Sequence, residues 1–298
     1  MKLSILLVSY NQQKCLDESL DSIFIQDIPF DFEVVVADDH SCDDSISIIE
    51  SRLKKESCAY QILPSTDNLG ISKNYQRAFA ACSGQYIAVL EADDYWTDPQ
   101  RLKKHIAFLD THTECVMSFN RITFYFEQQQ SFYTHEWKNA EDYDYYSTAQ
   151  LAKTNPIGNL SACVLRNDAV KKLPRELFDL KIADWMLGMA IGMQGPLARL
   201  KDPMSVYRIS GSGEWAGMSQ HLKNSKTIAL IDTYNQFFNY KFDKEFTEHK
   251  HRLLAEEKND DKSKPATAAT RPAWLVKLIK RIVPLKVRAF IQKKLTRE

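Results

Sequence analysis

The sequence has no Cys-x-x-Cys pair, no apolar run of about eighteen residues, and no glycine after its first strand-like segment, where Ser9-Tyr-Asn-Gln-Gln-Lys14 stands. Each absence excludes something. Cysteines at 15, 42, 58, 82, 115 and 163 lie too far apart for a zinc or disulfide framework, and are expected to be small buried hydrophobes in a reducing compartment. Without a long apolar run, no helix is expected to span a bilayer. The N-terminus enters a strand-like segment without a signal-peptide pattern, so the expected location is the cytoplasm. The missing glycines exclude a G-x-G-x-x-G dinucleotide site and its dehydrogenase chemistry. No internal repeat is present.

What remains is 298 residues with 44% hydrophobic and 26% charged content, ordinary for a soluble globular chain with a large catalytic domain and an appendage. The formal charge is zero but uneven. Arg271 to Glu298 holds nine Lys/Arg and one Glu, a local +8, which leaves the first 270 residues at −8. That asymmetry implies a basic tail with its own partner. From Trp274 to Leu285 the apolar residues cover about 200° of helical arc, with Lys277, Lys280 and Arg281 opposite. Such a segment suits a helix lying on an anionic membrane, or one docked on protein or a second subunit. Pro284 kinks or ends it. Glu256 to Thr270 is charged, then Pro/Ala/Thr-rich, and is expected to be a linker.

The first hundred residues alternate two periodicities. Leu3 to Tyr10, Phe32 to Ala37, Tyr60 to Leu63 and Tyr86 to Leu90 are expected strands. Between them, Leu16, Leu20, Ile23 and Phe24 recur at helical spacing, as do Ile46, Ile49 and Leu53, with Asp43 or Asp44 as cap. Ile71 to Cys82 is the next expected helix. Strand-helix alternation predicts a mostly parallel sheet flanked by helices, with ligands beyond the carboxyl ends of the strands. Tyr10-Asn11, Asp38-Asp39 and Glu91-Asp93 all fall at such ends. Further on, helices are expected over Pro99 to Asp110, Asp184 to Met193 and Lys223 to Phe238. Cys115 to Phe126 and Leu160 to Leu165 are expected to be extended, and Lys138 to Tyr146 to be an acidic, tyrosine-rich loop.

Leu90-Glu-Ala-Asp-Asp-Tyr-Trp96 closes the fourth strand with three carboxylates. Like charges this close repel, which calls for a cation among them. Residues two apart in an extended chain face one way, so Glu91 and Asp93 present oxygens together while Asp94 turns aside. Two carboxylates with phosphate oxygens and water make a Mg²⁺ or Mn²⁺ site. The same pattern is open to a simple reading as solvated turn acids or a helix cap.

Val8-Ser-Tyr-Asn11, Val36-Ala-Asp-Asp-His-Ser41, Asn68-Leu-Gly-Ile-Ser-Lys-Asn74 and Leu90-Glu-Ala-Asp-Asp-Tyr-Trp-Thr-Asp-Pro99 occur in this order, followed by Ala183-Asp-Trp185 and Val206-Tyr-Arg-Ile-Ser-Gly-Ser-Gly-Glu-Trp215. Together they resemble the family 2 glycosyltransferases, of the kind found in bacterial surface polysaccharide synthesis, over roughly residues 1 to 218. The resemblance implies the α/β GT-A fold of nucleotide-diphospho-sugar transferases, with a C-terminal helical extension. It implies a catalytic domain over 1–218, an extension over 219–255, a linker over 256–270 and the basic tail over 271–298. It makes Asp38 the reader of the nucleotide base, a carboxylate accepting a base N–H such as that of uracil. Asp39 more readily takes a turn or cap role. Val8, Tyr10, Asn68, Lys73, Ala92 and Arg208 match donor-binding positions. Tyr10 either stacks on the base or simply ends the strand, and Lys73 also suits a solvated helix face. Glu91 and Asp93 match the metal-binding D-x-D, with Glu in the first place as in an E-x-D-D-Y-W branch.

Asp184 matches the catalytic base, which deprotonates the acceptor hydroxyl as it attacks the anomeric carbon and inverts it; as the first helical acid it also suits an N-cap. Trp185 would pack or line the acceptor pocket. The family often places His two residues after the Arg of Val206-Tyr-Arg. Here that place holds Ser210, which leaves the third metal contact without a candidate, although Arg208 and Gly211-Ser-Gly213 suit phosphate. His40 is expected to be an exposed turn residue. The implied partners are a nucleotide-sugar donor, a UDP-sugar first, and a glycan acceptor, lipid-linked if the tail holds a membrane surface on the inner face of the cell membrane. No nucleic-acid partner is expected. A nucleotidyltransferase of similar fold would need the missing glycine-rich loop. An inactive nucleotide-sugar-binding scaffold is the remaining alternative, supported by Ser210 and opposed by Glu91, Asp93 and Asp184.

Overall fold

The computed structural model describes residues 1–181, 184–210 and 218–260. In chain order the strands and helices are β1 (Leu3–Ser9), α1 (Leu16–Phe24), β2 (Phe32–Asp38), α2 (Ser45–Leu53), β3 (Ala59–Ile62), α3 (Ile71–Ala81), β4 (Tyr86–Glu91), β5 (Tyr95–Trp96), α4 (Arg101–Thr111), β6 (Met117–Phe126), β7 (Ser131–Thr134), β8 (Tyr143–Tyr146), α5 (Thr148–Lys153), β9 (Cys163–Arg166), α6 (Asn167–Val170), α7 (Asp184–Gly192), β10 (Leu197–Ile209), α8 (Gln220–Phe237) and α9 (Asp243–Asp260).

One ten-stranded sheet runs β3-β2-β1-β4-β9-β6-β10-β5, with β7 on β6 and β8 on β10. The first four strands in that order are parallel, as the alternation of strand and helix requires. The sheet becomes mixed where β9 lies antiparallel between β4 and β6, while β6 and β10 are parallel to each other. Period-2 geometry sorts the side chains into two cores. Leu3, Ile5 and Leu7 face α1, α2 and α4 through Leu16, Leu20, Ile49 and Leu102; Leu6 and Val8 face Tyr75 and Phe79 of α3. Trp185 of α7 joins Tyr234 of α8 and Phe246 of α9 in the second core.

Several expectations change. Tyr143 to Tyr146, expected in the acidic loop, forms β8 because it pairs with the first half of β10. The strand expected at Leu160 to Leu165 begins with a 3₁₀ turn, Leu160–Ala162, because Asn159 caps Ala162; only Cys163–Arg166 is strand. β10 has no counterpart in the sequence reading. Its interior Pro203 argues against a strand, but the register shifts on both sides of Pro203, and a bulge accommodates the missing N–H. The α9 helix runs to Asp260, so the first residues of the segment expected as linker are helical. The basic tail 271–298 and the rest of the linker lie outside the described residues. Cys82, Cys115 and Cys163 are buried as expected, but Cys42 is exposed and Cys15 and Cys58 are half-buried; all six are free thiols. Met1–Leu254 forms one compact unit. Among the described residues no helix is long and apolar enough to cross a membrane.

Candidate functional site

The carboxyl ends of β1, β2 and β4 lie side by side, because Ser9 pairs with Asp38 and Val8 with Glu91. The chain beyond Glu91 folds back at once: the Ala92 N–H donates to the Val8 carbonyl at 2.8 Å and the Asp94 N–H to the Glu91 carbonyl at 2.9 Å. This tight return gathers the three acids at one end of the sheet.

At the β2 end, each acid accepts two hydrogen bonds from local donors, one on each carboxylate oxygen. Asp38 accepts from the Ser41 N–H at 2.8 Å and the Ser41 hydroxyl at 2.6 Å. Asp39 accepts from the Leu69 and Gly70 N–H groups, each at 2.9 Å, and so pins the turn before α3. Gly70 has φ +77° there, a conformation that favours glycine. Asp39 is thus the turn residue it was expected to be. Arg77 donates to the Asp38 carbonyl at 2.5 Å and to Pro64, and Asn74 to Ala37 at 2.8 Å, which ties α3 to the strand end. Opposite, Asn11 at φ +53° accepts from the Cys42 N–H at 2.9 Å, and Asp43 accepts from the N–H groups of Gln13 and Ser45. Asp43, rather than Asp44, therefore supplies the side-chain contact to the start of α2. Tyr10 is 47% exposed beside this frame, and His40 is exposed at φ +66° as expected.

The β4 end is handled differently. The half-buried Glu91 receives one side-chain donor, the Tyr75 hydroxyl at 2.9 Å. Burial pushes its carboxyl up to about 8, with help from the charges of Asp93 and Asp184. Asp93 is raised by burial, against the pull of its own backbone N–H and of Arg208. Among the described residues no side chain donates a hydrogen bond to its carboxylate. Asp94 does turn aside: Asn159 and Ser161 donate to one oxygen at 2.6 Å each, and the Arg208 N–H to the other at 2.9 Å. It is buried, and burial with the charges of Asp93 and Glu91 holds it well above the carboxylate range.

Asp184 opens α7 close enough for its charge to act on Glu91; its carboxylate accepts from Asn155 at 2.8 Å, and burial raises it. Trp185 packs rather than lines an open pocket, donating to the Leu151 carbonyl at 2.7 Å. Arg208 is largely committed. It pairs with Glu18, donates to the Asp93 carbonyl at 2.9 Å and lies over the rings of Tyr95 and Tyr125. Lys73 is paired with Asp179, and Asn68 accepts from Gly70 within its own turn. Ser210 directly follows β10, and residues 211–213 lie outside the described residues.

The structure thus brings Val8, Ala92, Glu91, Asp93, Asp184 and Arg208 near one another at the end of the sheet, with Tyr10 and Asp38 on the β1–β2 side. Sequence reasoning missed Tyr75, Glu18, Asn155, Asn159, Ser161 and Tyr207. Tyr75 stands one residue past the Asn68–Asn74 motif and Tyr207 inside Val206-Tyr-Arg, so both were within reach. Asn155, Asn159 and Ser161 come from a loop and a 3₁₀ turn with no local signal. Among the described residues no three His, Cys, Asp or Glu side chains form a ready-made metal cage. The donor set nevertheless fits a hard divalent ion: Glu91 and Asp93 are paired, under-donated carboxylates of the kind Mg²⁺ or Mn²⁺ takes alongside phosphate oxygens and water.

A family model described as Glycosyl transferase family 2 matches residues 4–173. An uncharacterized protein of Mycobacterium tuberculosis, Rv1520, is 29% identical over 216 residues, covering 72% of this chain and 60% of that protein. The poly(ribitol-phosphate) beta-N-acetylglucosaminyltransferase TarS of Staphylococcus aureus is 34% identical over 118 residues, 39% of this chain and 20% of that one. The chain thus spans 60% of the first relative's length and 20% of the second's. Among solved structures, TarS 1-349 in complex with UDP-GlcNAc superposes with a TM-score of 0.56 at 21% identity, covering 78% of this chain and 66% of the other. The mannosyltransferase PcManGT from Pyrobaculum calidifontis, in complex with GDP-Man and Mn2+, gives 0.55 at 16% identity, covering 97% and 82%. These likenesses establish the fold.

Proposed function

The chain belongs to glycosyl transferase family 2, and on that premise we propose that it is a metal-dependent, inverting transferase that moves a sugar from a nucleoside-diphosphate donor, a UDP-sugar first, to a hydroxyl of a glycan acceptor in surface polysaccharide synthesis. The observation that carries this reading is the under-donated acid pair Glu91 and Asp93, which faces the same crevice as Asp184. A divalent ion held there with the donor would neutralise the diphosphate as it leaves. The chain's own residues do the rest. Asp38, fixed by Ser41, accepts an N–H of the base, and exposed Tyr10 stacks on it. The backbone at Val8 and Ala92 bounds the donor. Asn68 and Lys73 reach its outer side, Lys73 by leaving Asp179. Arg208 holds the Asp93 carbonyl, so its contribution is to orient the acid loop as much as to meet phosphate.

Asp184, oriented by Asn155, takes the proton from the acceptor hydroxyl. That oxygen bonds to the anomeric carbon as the bond to the diphosphate oxygen breaks, and the configuration inverts in one displacement. Burial raises the Asp184 carboxyl, which makes its carboxylate a stronger base. The basic tail completes the reading. Its +8 charge and amphipathic spacing would hold the enzyme on the inner, anionic face of a membrane, where a lipid-linked acceptor is presented. Co-sedimentation with anionic liposomes tests that part: full-length chain should pellet in low salt, and a chain ending at Ala269 should not.

The decisive experiment for the reaction is nucleoside diphosphate release from a panel of UDP- and GDP-sugars with Mn²⁺ and a pooled glycan acceptor, with the product's anomer read by NMR. Metal-dependent release with inversion supports the reading. Retention of configuration removes Asp184 as the base of a single displacement. Nucleotide binding without any release favours a non-catalytic binder.

A further inference from the structure

Two rows of side chains cross β10, β6 and β7 in register. Arg208, Tyr125 and Phe132 form one, because Arg208 pairs with Tyr125 and Tyr125 with Phe132. Tyr207, Phe124 and Tyr133 form the other, by the same two registers. Neighbours along a strand face opposite ways, so the rows occupy opposite faces of the sheet. The first row is closed at its inner end: Arg208 is bound to Glu18 and Asp93 and covers Tyr125, while Phe132 stacks on Tyr125 at 4.6 Å.

The second row is different. Its inner member, Tyr207, lies in the combined field of Asp94, Glu91, Asp93 and Asp184, which with burial holds its phenol above the usual range. Phe124 follows at 6.0 Å between ring centroids, and His135 packs on Phe124 at 5.8 Å. Tyr133 packs on His135 at 4.9 Å, with its hydroxyl 3.2 Å from the imidazole Nδ1. Burial falls outward along the run: Tyr207 and Phe124 are half-buried, His135 is exposed, and Tyr133 is 51% exposed. The run therefore leads from the acid loop, which neighbouring Arg208 holds at Asp93 and Asp94, to the surface of the hairpin β6–β7, on the sheet face where Tyr207 and Phe124 pack against the core that contains Trp185, next to Asp184.

We propose that the Tyr207, Phe124, His135 and Tyr133 row is the acceptor platform, binding uncharged sugar rings of the glycan that follow the one attacked. The inference rests on Asp184 serving as base, since an acceptor must lie on the base's face. Three strands carry the row across two inter-strand spacings, about 10 Å, the length of roughly two pyranose rings. Sugars present an apolar C–H face and a rim of hydroxyls. Aromatic rings interrupted by an imidazole and a phenol hydroxyl offer both kinds of contact. The diphosphate of the donor at the inner end would repel an anionic unit placed beside it. Tyr207, Phe124 and Tyr133 are set in the sheet, so their rings are ordered before binding, which lowers the entropy cost of association.

The test uses full-length protein with UDP and Mn²⁺ on a printed array of uncharged and anionic bacterial oligosaccharides, comparing wild type with the surface double variant Tyr133→Ser/His135→Ser. Wild type should retain uncharged oligosaccharides of three or more sugars, and the variant should bind them about tenfold more weakly. The same two proteins should give equal thermal shifts with UDP and Mn²⁺, because neither substitution touches the donor side. Equal glycan retention by the two proteins, retention of anionic polymers alone, or no retention by wild type overturns the platform. A missing thermal shift with every nucleotide overturns the donor reading instead, and the array still decides the platform.

Discussion

The strand ends of β2 and β4 each carry adjacent acids, and the protein treats them oppositely. At β2, Asp38 and Asp39 accept four hydrogen bonds at 2.6–2.9 Å from Ser41, Leu69 and Gly70. At β4, Glu91 has one side-chain donor, Asp93 has none among the described residues, and both are raised by burial. Satisfied carboxylates build a frame. Under-donated ones, crowded together, store repulsion that a cation relieves. Asp94 sharpens the contrast inside one motif: a residue away from Asp93, it takes three donors, although burial raises it as well.

Substitutions can break this comparison, and the largest effect belongs to the acid nearest the proposed chemistry. Asp184→Asn should lower turnover by about 10²- to 10⁴-fold while leaving donor affinity nearly unchanged, read by steady-state nucleotide release. Asp93→Asn should cost about 10²-fold or more in turnover, together with metal-dependent donor binding, because it removes half of the ion's protein ligands. Asp39→Ala should act on the fold instead. It takes away the acceptor of the Leu69 N–H and leaves the Gly70 N–H with Asn68 alone, and a loss of about 2 kcal/mol, or roughly 4–8 °C in Tm by calorimetry, is expected, with turnover per folded molecule reduced far less.

A smaller effect is the pH dependence of the metal-free protein. The folded Glu91 carboxyl lies at about 8 against an ordinary 4.5, so the folded state holds its proton more tightly. Its contribution to stability is full below about 4.5 and is lost as pH rises through about 8. In chelator, Tm should fall across that interval. Glu91→Gln, or Mn²⁺ with UDP, should flatten the fall. An equal slope in all three would show that Glu91 is not the group responsible.

Much of the first half was legible in the sequence. Buried parallel strands carry continuous apolar runs, and Leu3 to Tyr10 or Tyr86 to Leu90 can hardly be anything else. The acids at strand ends were visible for the same reason, since a strand's end fixes where its next residues lie. The second half was less legible because its strands depend on partners. Tyr143 to Tyr146 is a strand only beside β10, and β10 itself hides behind Pro203 and its bulge. The hydrogen-bond partners of the site were the least legible part. Ser161 serves Asp94 and Glu91 from about seventy residues away in sequence, and nothing local marks it. Arg208 and Lys73 were read as donor contacts from the family positions they match, whereas their pairing with Glu18 and Asp179 is a long-range fact.

The measurement that bears most directly on the account is Mn²⁺ binding in the presence of UDP, followed by the paramagnetic signal of the free ion, for wild type, Asp93→Asn and Asp39→Ala. The account predicts that wild type and folded Asp39→Ala bind the ion alike, and that Asp93→Asn binds it at least about tenfold more weakly. Equal Mn²⁺ binding by wild type and Asp93→Asn, or full transferase activity in excess chelator, would contradict it.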